Sequence, residues 1–302
     1  MKIRDICFRN KFTLSFEVFP PVREGNVENL FSTIQELKEM KPDFISVTYG
    51  AGGGTRGTSI EIASKVKNEF VMDVIAHLTC VQATKDDIAK ILKEFKKENI
   101  ENVLALRGDP PEGETRFQKT AGGFGYASDL VEFINSLNNF SIGVAGYPEG
   151  HLEAPSLDAD MANLKRKVDA GADFVITQLF FNNDSFYSFR DRALKMKIRV
   201  PIIPGIFPIL NYRQIERIVS LSGAKTSSGL GIKIPSGFGS RIEKLKDKPE
   251  EVEKYGIEYA TVQVENLLKN GVSGLHLYCM NKSQPVKQIL GEIALPRQTC
   301  IT

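Results

Sequence analysis

Two carboxylate side chains stand where the sequence could perform acid–base or electrostatic chemistry. Glu17 lies inside the apolar run TLSFEVF, between Phe16 and Val18. Carboxylates are rarely buried without a partner or a function, and an apolar setting raises their pKa. The position therefore predicts that Glu17 is a general acid near neutral pH. The alternative is a structural salt bridge between Glu17 and Arg107.

Asp109 ends the stretch NVLALRGD, directly after Arg107 and Gly108. The four apolar residues 103–106 are typical of a parallel strand that is buried on both faces. In a closed βα barrel, the carboxyl ends of such strands meet on one rim, where the chemistry takes place. We therefore expect Asp109 to belong to a site on that rim. A role as a loop or helix cap is the alternative.

Two further polar side chains end predicted strands. His77 closes the third strand, and a hydrogen-bonded core histidine explains it as well as a site histidine does. Gln178 follows the very apolar run FVIT. A buried amide needs hydrogen-bond partners, which a ligand with donors and acceptors would supply. Phe180 and Phe181 are interpreted as core residues.

A basic run, Lys165, Arg166 and Lys167, lies on a predicted helix. Such a run is usually a solvated helix face, and this interpretation is favoured over a phosphate anchor on charge pattern alone.

Strand-like and helix-like patterns alternate about eight times along the chain. Strands are predicted at 13–19, 44–47, 74–78, 102–106, 141–147, 174–178, 201–205 and 274–278. Helices are predicted at 26–40, 85–98, 126–137, 158–170, 184–196 and 249–270, and further helices begin at 59, after Asn211 and near Pro285. The predicted caps are Gly171 at the C-terminus of helix 158–170, Asp184 at the N-terminus of helix 184–196, and Asn211 at the N-terminus of the helix that follows it. The connection 109–125 and the polar insertion 226–248 are long.

This alternation predicts an α/β fold, a single (β/α)8 TIM barrel covering residues 1–302. A doubly wound open sheet is the alternative. No G-x-G-x-x-G follows a strand, since GAGGGT at 50–55 has threonine in the third glycine position. A dinucleotide, if bound, is therefore not held in the Rossmann manner.

Composition excludes several classes of protein. The chain has 302 residues, 42% of them hydrophobic, and a net charge of +2. We find no basic stripe with interleaved aromatics, no signal-peptide core and no run of transmembrane length, so we expect a cytoplasmic protein that binds no nucleic acid and does not insert into membranes. The cysteines and histidines are widely spaced, which predicts reduced thiols and no metal site.

A set of motifs, in chain order, gives the sequence a family resemblance. The motifs are SFEVFPP, VTYGAGGGT, HLTC, ALRGDPP, YASDL, YPEGH, LKRKVDAGADFVITQLFF, IIPGI and LHLYCMN. Together they resemble the methylenetetrahydrofolate reductases of the short bacterial type over about residues 14–281. The resemblance implies a (β/α)8 barrel with non-covalent FAD at the C-terminal rim of the strands. It also implies the reduction of 5,10-methylenetetrahydrofolate to 5-methyltetrahydrofolate.

The resemblance also implies residue roles. Glu17 would be the acid that helps open the folate ring, and Asp109 would lie between flavin and pterin. Gln178 and Gln214 would contact the folate, whereas Lys282 stands where the family has arginine and would lose a bidentate contact to the glutamate tail. The flavin-contacting positions would be Thr48, Tyr49, Ala51, His77, Arg107, Gly108, Asp109, Tyr126, Tyr147, His151, Asp160, Asn163, Arg166 and Lys167. This replaces the solvated-face interpretation of Arg166 and Lys167.

The electron donor is left open by the sequence: NADH, NADPH or an electron-donating partner protein. A homo-oligomer is left open as well. Two other interpretations remain. One is a flavin-free pterin-binding barrel that transfers a one-carbon unit. The other is a non-catalytic subunit of a redox complex, which the presence of Glu17, Asp109 and Gln178 argues against.

Overall fold

Parallel strands, nearly all in sequence order, form one sheet that curls into a nearly closed barrel. The computed structural model describes residues 1–10, 12–21, 27–49, 56–111, 113–114, 116–221, 229–291 and 293–296. The strands are β1 Thr13–Val18, β2 Phe44–Val47, β3 Val74–Thr79, β4 Asn102–Leu106, β5 Ser141–Gly146, β6 Phe174–Thr177, β7 Ile202–Ile203, β8 Gly205–Ile206 and β9 Gly274–Tyr278. Their order is β7-β6-β5-β4-β3-β2-β1-β9-β8. The predicted TIM-type barrel is confirmed.

The seventh predicted strand is split by a proline. β7 pairs with β6, whereas β8 pairs with β9. Pro204, between them, has no N–H to give, but its carbonyl oxygen accepts from His276 N at 2.9 Å. One broken strand therefore contacts both neighbours across the closure of the barrel.

Helices cover the outside of the barrel, and most begin and end within a few residues of their predicted bounds. They are α1 Ile3–Arg9, α2 Val27–Lys38, α3 Arg56–Asn68, α4 Lys85–Lys97, α5 Ala127–Ser136, α6 Leu157–Asp169, α7 Asn183–Lys195, α8 Tyr212–Leu221, α9 Ser236–Lys244, α10 Pro249–Lys269 and α11 Ser283–Gly291. Asp184 as a cap was wrong, because Asn182 accepts the hydrogen bond from Asp184 N. Helix α9 was missed within the predicted polar insertion.

The barrel interior has an apolar lower layer that the first helix closes. Phe44, Ile75, Leu104 and Phe174 point inward and form one cluster with Ile3 and Ile6 of α1. Helix α1 was not predicted, since only two of its seven residues are buried and the segment carries no long apolar period. Its closure of the lower end leaves the upper end of the barrel for the polar inward side chains.

Membrane-spanning helices and metal-binding clusters are both absent from the described part of the chain. None of the helices there is long and apolar enough to cross a membrane. No group of three or more His, Cys, Asp or Glu side chains is arranged there to hold a metal ion.

Candidate active site

A buried polar cluster at the upper end of the barrel surrounds Glu17. Glu17 Oε2 lies 3.3 Å from Nε2 of His77 and 3.3 Å from Nε2 of His276. Ser46 Oγ donates to the same oxygen at 3.3 Å and lies 2.8 Å from His77 Nε2. Ser15 Oγ lies 2.8 Å from His276 Nδ1. Strands β2, β3 and β9 thus each contribute an inward side chain to the one carboxylate on β1.

The prediction that Glu17 has a raised pKa was wrong. Glu17 is only 6% exposed, and desolvation does act to raise its pKa. Hydrogen bonds from His276 and His77 outweigh that effect and lower the pKa to about 2. The alternative salt bridge to Arg107 is not formed, because Arg107 pairs with Glu153. In this structure Glu17 is an ionised hydrogen-bond acceptor.

Period-two alternation was the signal that could have revealed the rest of this cluster. Ser15 and Glu17 share the inward face of β1, while His276 and Tyr278 share that of β9. In the register of the two strands, Ser15 is opposite His276 and Glu17 is opposite Tyr278. The predictions considered Glu17 and His77 but missed the serines and His276, because the pairing of β1 with β9 depends on barrel closure.

A cleft beside this cluster, at the ends of β4 and β5, gathers most of the positions that the family resemblance assigned to flavin contacts. Its volume is about 560 Å³. It is lined by eight of the expected residues: Arg107, Tyr126, Tyr147, His151, Asp160, Asn163, Arg166 and Lys167. Glu153, Ala154 and Asp129 also line it and were not predicted. The sequence-based set is therefore brought together over this part of the rim.

Arg107 joins the loops on either side of the cleft. Its Nη1 and Nη2 donate to the two carboxylate oxygens of Glu153 at 2.5 and 2.7 Å. Its guanidinium also lies 4.8 Å from the ring centroid of Phe117 in the 109–125 connection. The hydrogen bonds to Glu153 raise the pKa of Arg107 and lower that of Glu153, so both remain charged.

The basic run on α6 divides into three environments. Lys165 pairs with Asp169 on the helix surface, and Arg166 is exposed beside Asn163. Lys167 turns into the cleft, where Nζ donates to Ala145 O at 2.5 Å. Burial lowers the pKa of Lys167 to about 8, although the nearby Asp160 acts in the opposite direction. The solvated-face interpretation was therefore wrong for Lys167.

The turn after β4 approaches β3 closely. Gly108 has φ +89°, and a Cβ there would lie 2.8 Å from Val81 Cγ1, so a side chain would be strained and crowded. Asp109, the next residue, is exposed. Burial is the main cause of the raised pKa of Tyr147 and the hydrogen bond to Glu153 that of Arg107, and the Asp109 charge adds to both effects.

The remaining predicted site residues do not line this cleft, and two of them, Gln178 and Gln214, hydrogen-bond to backbone N–H groups. Thr48 and Tyr49 follow β2, and Lys282 is exposed after β9, whereas Ala51 lies outside the described residues. Gln178 Oε1 accepts from Leu179 N at 2.9 Å. Gln214 Oε1 accepts from Leu210 N at 2.6 Å and caps α8 together with Asn211, the predicted cap. Contacts of these side chains to a ligand stay predictions.

The cleft has the chemistry that an FAD molecule needs. Its volume lies within the range of about 300–1,000 Å³ that is usual for small-molecule sites. Arg107, Arg166 and Lys167 offer cations to a diphosphate, while Tyr126 and Tyr147 offer aromatic faces. Near the cleft, beside Gly108, Thr79 Oγ1 is buried, and no described group hydrogen-bonds it. These residues fit the group.

Comparison with known proteins decides the family. The family model described as methylenetetrahydrofolate reductase matches residues 2–294. The chain belongs to the methylenetetrahydrofolate reductase family. Of the relatives, 5,10-methylenetetrahydrofolate reductase from Escherichia coli strain K12 is 37% identical over 91% of this chain and 88% of its own length. Methylenetetrahydrofolate reductase (NADH) 1 from Arabidopsis thaliana is 40% identical over 97% of this chain and 50% of its own.

The chain thus spans about half the length of the plant methylenetetrahydrofolate reductases that it matches. Among solved structures, an uncharacterized protein from Clostridium thermocellum that binds two copies of 5-methyl-5,6,7,8-tetrahydrofolic acid is similar, with a TM-score of 0.62. The match covers 96% of both chains at 14% sequence identity, so the likeness concerns the barrel fold.

Proposed function

We propose that this protein is an FAD-dependent reductase that converts 5,10-methylenetetrahydrofolate to 5-methyltetrahydrofolate. The observation that carries the proposal is the position of two complementary sites on one rim. The Glu17 cluster offers a carboxylate with attached proton donors, and the adjoining cleft offers cations and aromatic rings. Family membership supports the reaction, because the named relatives are methylenetetrahydrofolate reductases.

The cleft would hold the cofactor through residues that surround it on three sides. Lys167 and Arg166 on α6 and Arg107 after β4 would bind the diphosphate, since all three carry donors for phosphate oxygens. Tyr147 and His151, packed edge to face with centroids 4.8 Å apart, would form one wall. Bound FAD would supply the hydride that reduces the folate carbon.

Glu17 would act on the folate ring. Opening the five-membered ring breaks a carbon–nitrogen bond, and the leaving nitrogen must gain a proton. Glu17 Oε2 lies within hydrogen-bond range of two histidine nitrogens, so a proton delivered to this oxygen could pass to the substrate. Because the pKa of Glu17 is low, that proton must come from the histidine network.

Asp109 would stabilise the cation that ring opening produces. The iminium carbon that accepts the hydride carries positive charge, and a carboxylate beside it lowers the free energy of that state. Asp109 is suited to this because it follows β4 at the rim of the barrel, and its carboxylate adds to the burial that raises the pKa of Tyr147 in the cleft. Gln178, Gln214 and Lys282 would contact the folate body and tail.

NADH is the proposed electron donor. The plant relatives, at 38–40% identity, carry NADH in their names. NADH and the folate would then bind in turn at the same face of the flavin ring: NADH would reduce the flavin and leave, and the folate would take its place.

The cofactor assignment is tested by reconstitution. The protein is incubated with FAD, desalted, and heated to release bound ligand, which is then identified by absorbance and chromatography. We expect stoichiometric FAD and a yellow protein. A colourless protein that releases no flavin would refute the proposal and favour a flavin-free pterin-binding barrel.

A further inference from the structure

His276 is held at both ring nitrogens inside the barrel. The residue is fully buried, with Nε2 facing Glu17 Oε2 at 3.3 Å and Nδ1 facing Ser15 Oγ at 2.8 Å. Its ring stands edge-on to Tyr278, with centroids 5.1 Å apart and an interplanar angle of 87°. This packing fixes the orientation of the ring, so only the positions of protons can change.

The Ser15 hydroxyl has two acceptors and can serve only one of them at a time. Its oxygen lies 2.8 Å from His276 Nδ1 and 3.4 Å from Leu275 O. When the hydroxyl donates to Nδ1, the histidine proton is on Nε2 and is donated to the Glu17 carboxylate. When it donates to Leu275 O, it can accept from a protonated Nδ1, and one additional proton then lies between Nε2 and Glu17.

Both arrangements leave Ser15 Oγ, the two ring nitrogens of His276 and Glu17 Oε2 hydrogen-bonded. The Ser15–His276–Glu17 chain therefore takes up or releases one proton without leaving a buried donor or acceptor unpaired, which would otherwise be costly.

We propose that His276 is the positioning residue that loads Glu17 with the proton for folate ring opening, and that rotation of the Ser15 hydroxyl makes this loading reversible. The inference rests on the proposed function, since it requires Glu17 to act as the acid. The proton leaves Glu17 Oε2 for the leaving nitrogen, which keeps the electron pair of the broken carbon–nitrogen bond. His276 is then neutral, with its proton on Nδ1 and donated to Ser15 Oγ, and a proton from solvent restores the one shared between Nε2 and Glu17 Oε2.

The other groups around Glu17 are less suited to this role. His77 Nε2 lies closer to Ser46 Oγ, at 2.8 Å, than to Glu17, so it orients the hydroxyl that donates to the carboxylate. The Tyr278 hydroxyl donates to Thr177 O at 2.9 Å. Burial raises the pKa of Tyr278 and, to about 12, that of Cys279, whose thiol donates to the Glu17 carbonyl. Both therefore remain neutral at physiological pH.

Proton positions can be read directly by NMR of ¹⁵N-labelled histidine rings, because the chain has three histidines. His276→Gln and His77→Gln identify the resonances. We expect Nδ1 of His276 to gain a proton in one step as the pH falls, and that step to move in Ser15→Ala and Glu17→Gln while that of His151 stays. A His276 ring that keeps one protonation state throughout, or titrates identically in all three proteins, would overturn the inference.

A second experiment measures the rate at which the folate reoxidises the reduced holoenzyme, from acid to alkaline pH. Ser15→Ala leaves a protonated Nδ1 without an acceptor, so its profile should shift to lower pH by about one unit, with about a tenfold loss at neutral pH. Ser141→Ala removes another fully buried strand hydroxyl, far from Glu17, and should leave the profile unchanged. Reduction of the flavin by NADH should be unaffected in both.

Failure of the proposed reaction and failure of the proposed role of His276 give different results. A wild-type holoenzyme that is not reoxidised by 5,10-methylenetetrahydrofolate would refute the proposed function, and the ring spectra would then decide the proton relay alone. A wild-type enzyme that turns over, with a Ser15→Ala profile identical to it or a His276→Gln variant of full neutral activity, would refute only the role of His276.

Discussion

Glu17 depends on its neighbours for its protonation state. The sequence correctly marked it as an unusual buried carboxylate, but it could not show that two histidines from distant strands donate to it. Since its folded pKa is below the ordinary value of 4.5, the ionised form stabilises the fold above that pH. This contribution is lost as the pH falls from about 4.5 towards about 2. Glu17→Gln should therefore flatten the stability profile in that range.

Glu17→Gln should separate the two half-reactions. The amide keeps the size of the side chain but cannot pass on a proton, so folate reduction should fall by about 10²–10⁴-fold. Reduction of the flavin by NADH should stay near the wild-type rate, because it needs no acid at this position. Stopped-flow measurement of each half-reaction tests this, and folate turnover within a few-fold of wild type would remove Glu17 from the role of acid.

Asp109→Asn should raise the midpoint potential of the bound flavin. Reduction adds negative charge, which a neighbouring carboxylate disfavours and an amide does not. Folate-dependent reoxidation should slow at the same time, since the iminium loses its counter-charge. A redox titration under anaerobic conditions measures the potential. If Asp109 only caps the turn, stability would fall while the potential and reoxidation rate stay at wild-type values.

Lys167 should make FAD binding depend on pH. Its pKa is lowered to about 8, so its charge is lost near that pH rather than above 10, and affinity for the anionic cofactor should fall as pH rises through 8. Lys167→Met should weaken binding at neutral pH by about ten- to a hundredfold, the usual range for hydrogen bonds to charged groups. It should also remove this pH dependence.

The matched control for Lys167 is Lys165→Met, since Lys165 pairs with Asp169 on the outside of the same helix. Fluorescence titration with FAD across pH compares the variants. Equal losses at the two positions would mean that the effect comes from overall charge rather than from the cleft.

The elements were predictable where a local pattern sets them. Strand β4 follows a continuous apolar run and helix α4 has a strong helical period, and α4 begins and ends within one residue of its predicted bounds. Short elements were predicted less well: α1, which buries only Ile3 and Ile6, was not predicted, and the strand predicted at 201–205 is two strands of two residues each. Their stability comes from contacts with distant parts of the chain, which no local pattern records.

The start of α4 offers a test of local stabilisation. Thr84 and Asp87 form a capping box, in which each side chain accepts a hydrogen bond from the backbone N–H of the other. Thr84→Ala should lower the free energy of unfolding by about 0.5–2 kcal/mol. Ser32→Ala removes an exposed hydroxyl within α2 and should change it by less than about 0.5 kcal/mol. Urea denaturation followed by circular dichroism compares the two, and equal effects would contradict the capping assignment.

Barrel closure is what turns scattered residues into one site. Glu17 and His276 are 259 positions apart in sequence and share a hydrogen bond, because β1 and β9 are neighbours in the sheet. The sequence supplied the residue types, and the family resemblance supplied the cleft residues. Neither indicated the Ser15–His276–Glu17 chain or the Arg107–Glu153 pair, since both depend on distances between loops and strands of the folded molecule.

The most direct measurement of the whole proposal is anaerobic turnover followed by the visible spectrum of the holoenzyme. Addition of NADH should bleach the flavin band, and subsequent addition of 5,10-methylenetetrahydrofolate should restore it, with one equivalent of 5-methyltetrahydrofolate formed per flavin. A flavin that NADH reduces but the folate leaves bleached would contradict the assigned reaction, as would recovery of the band without formation of the methyl product.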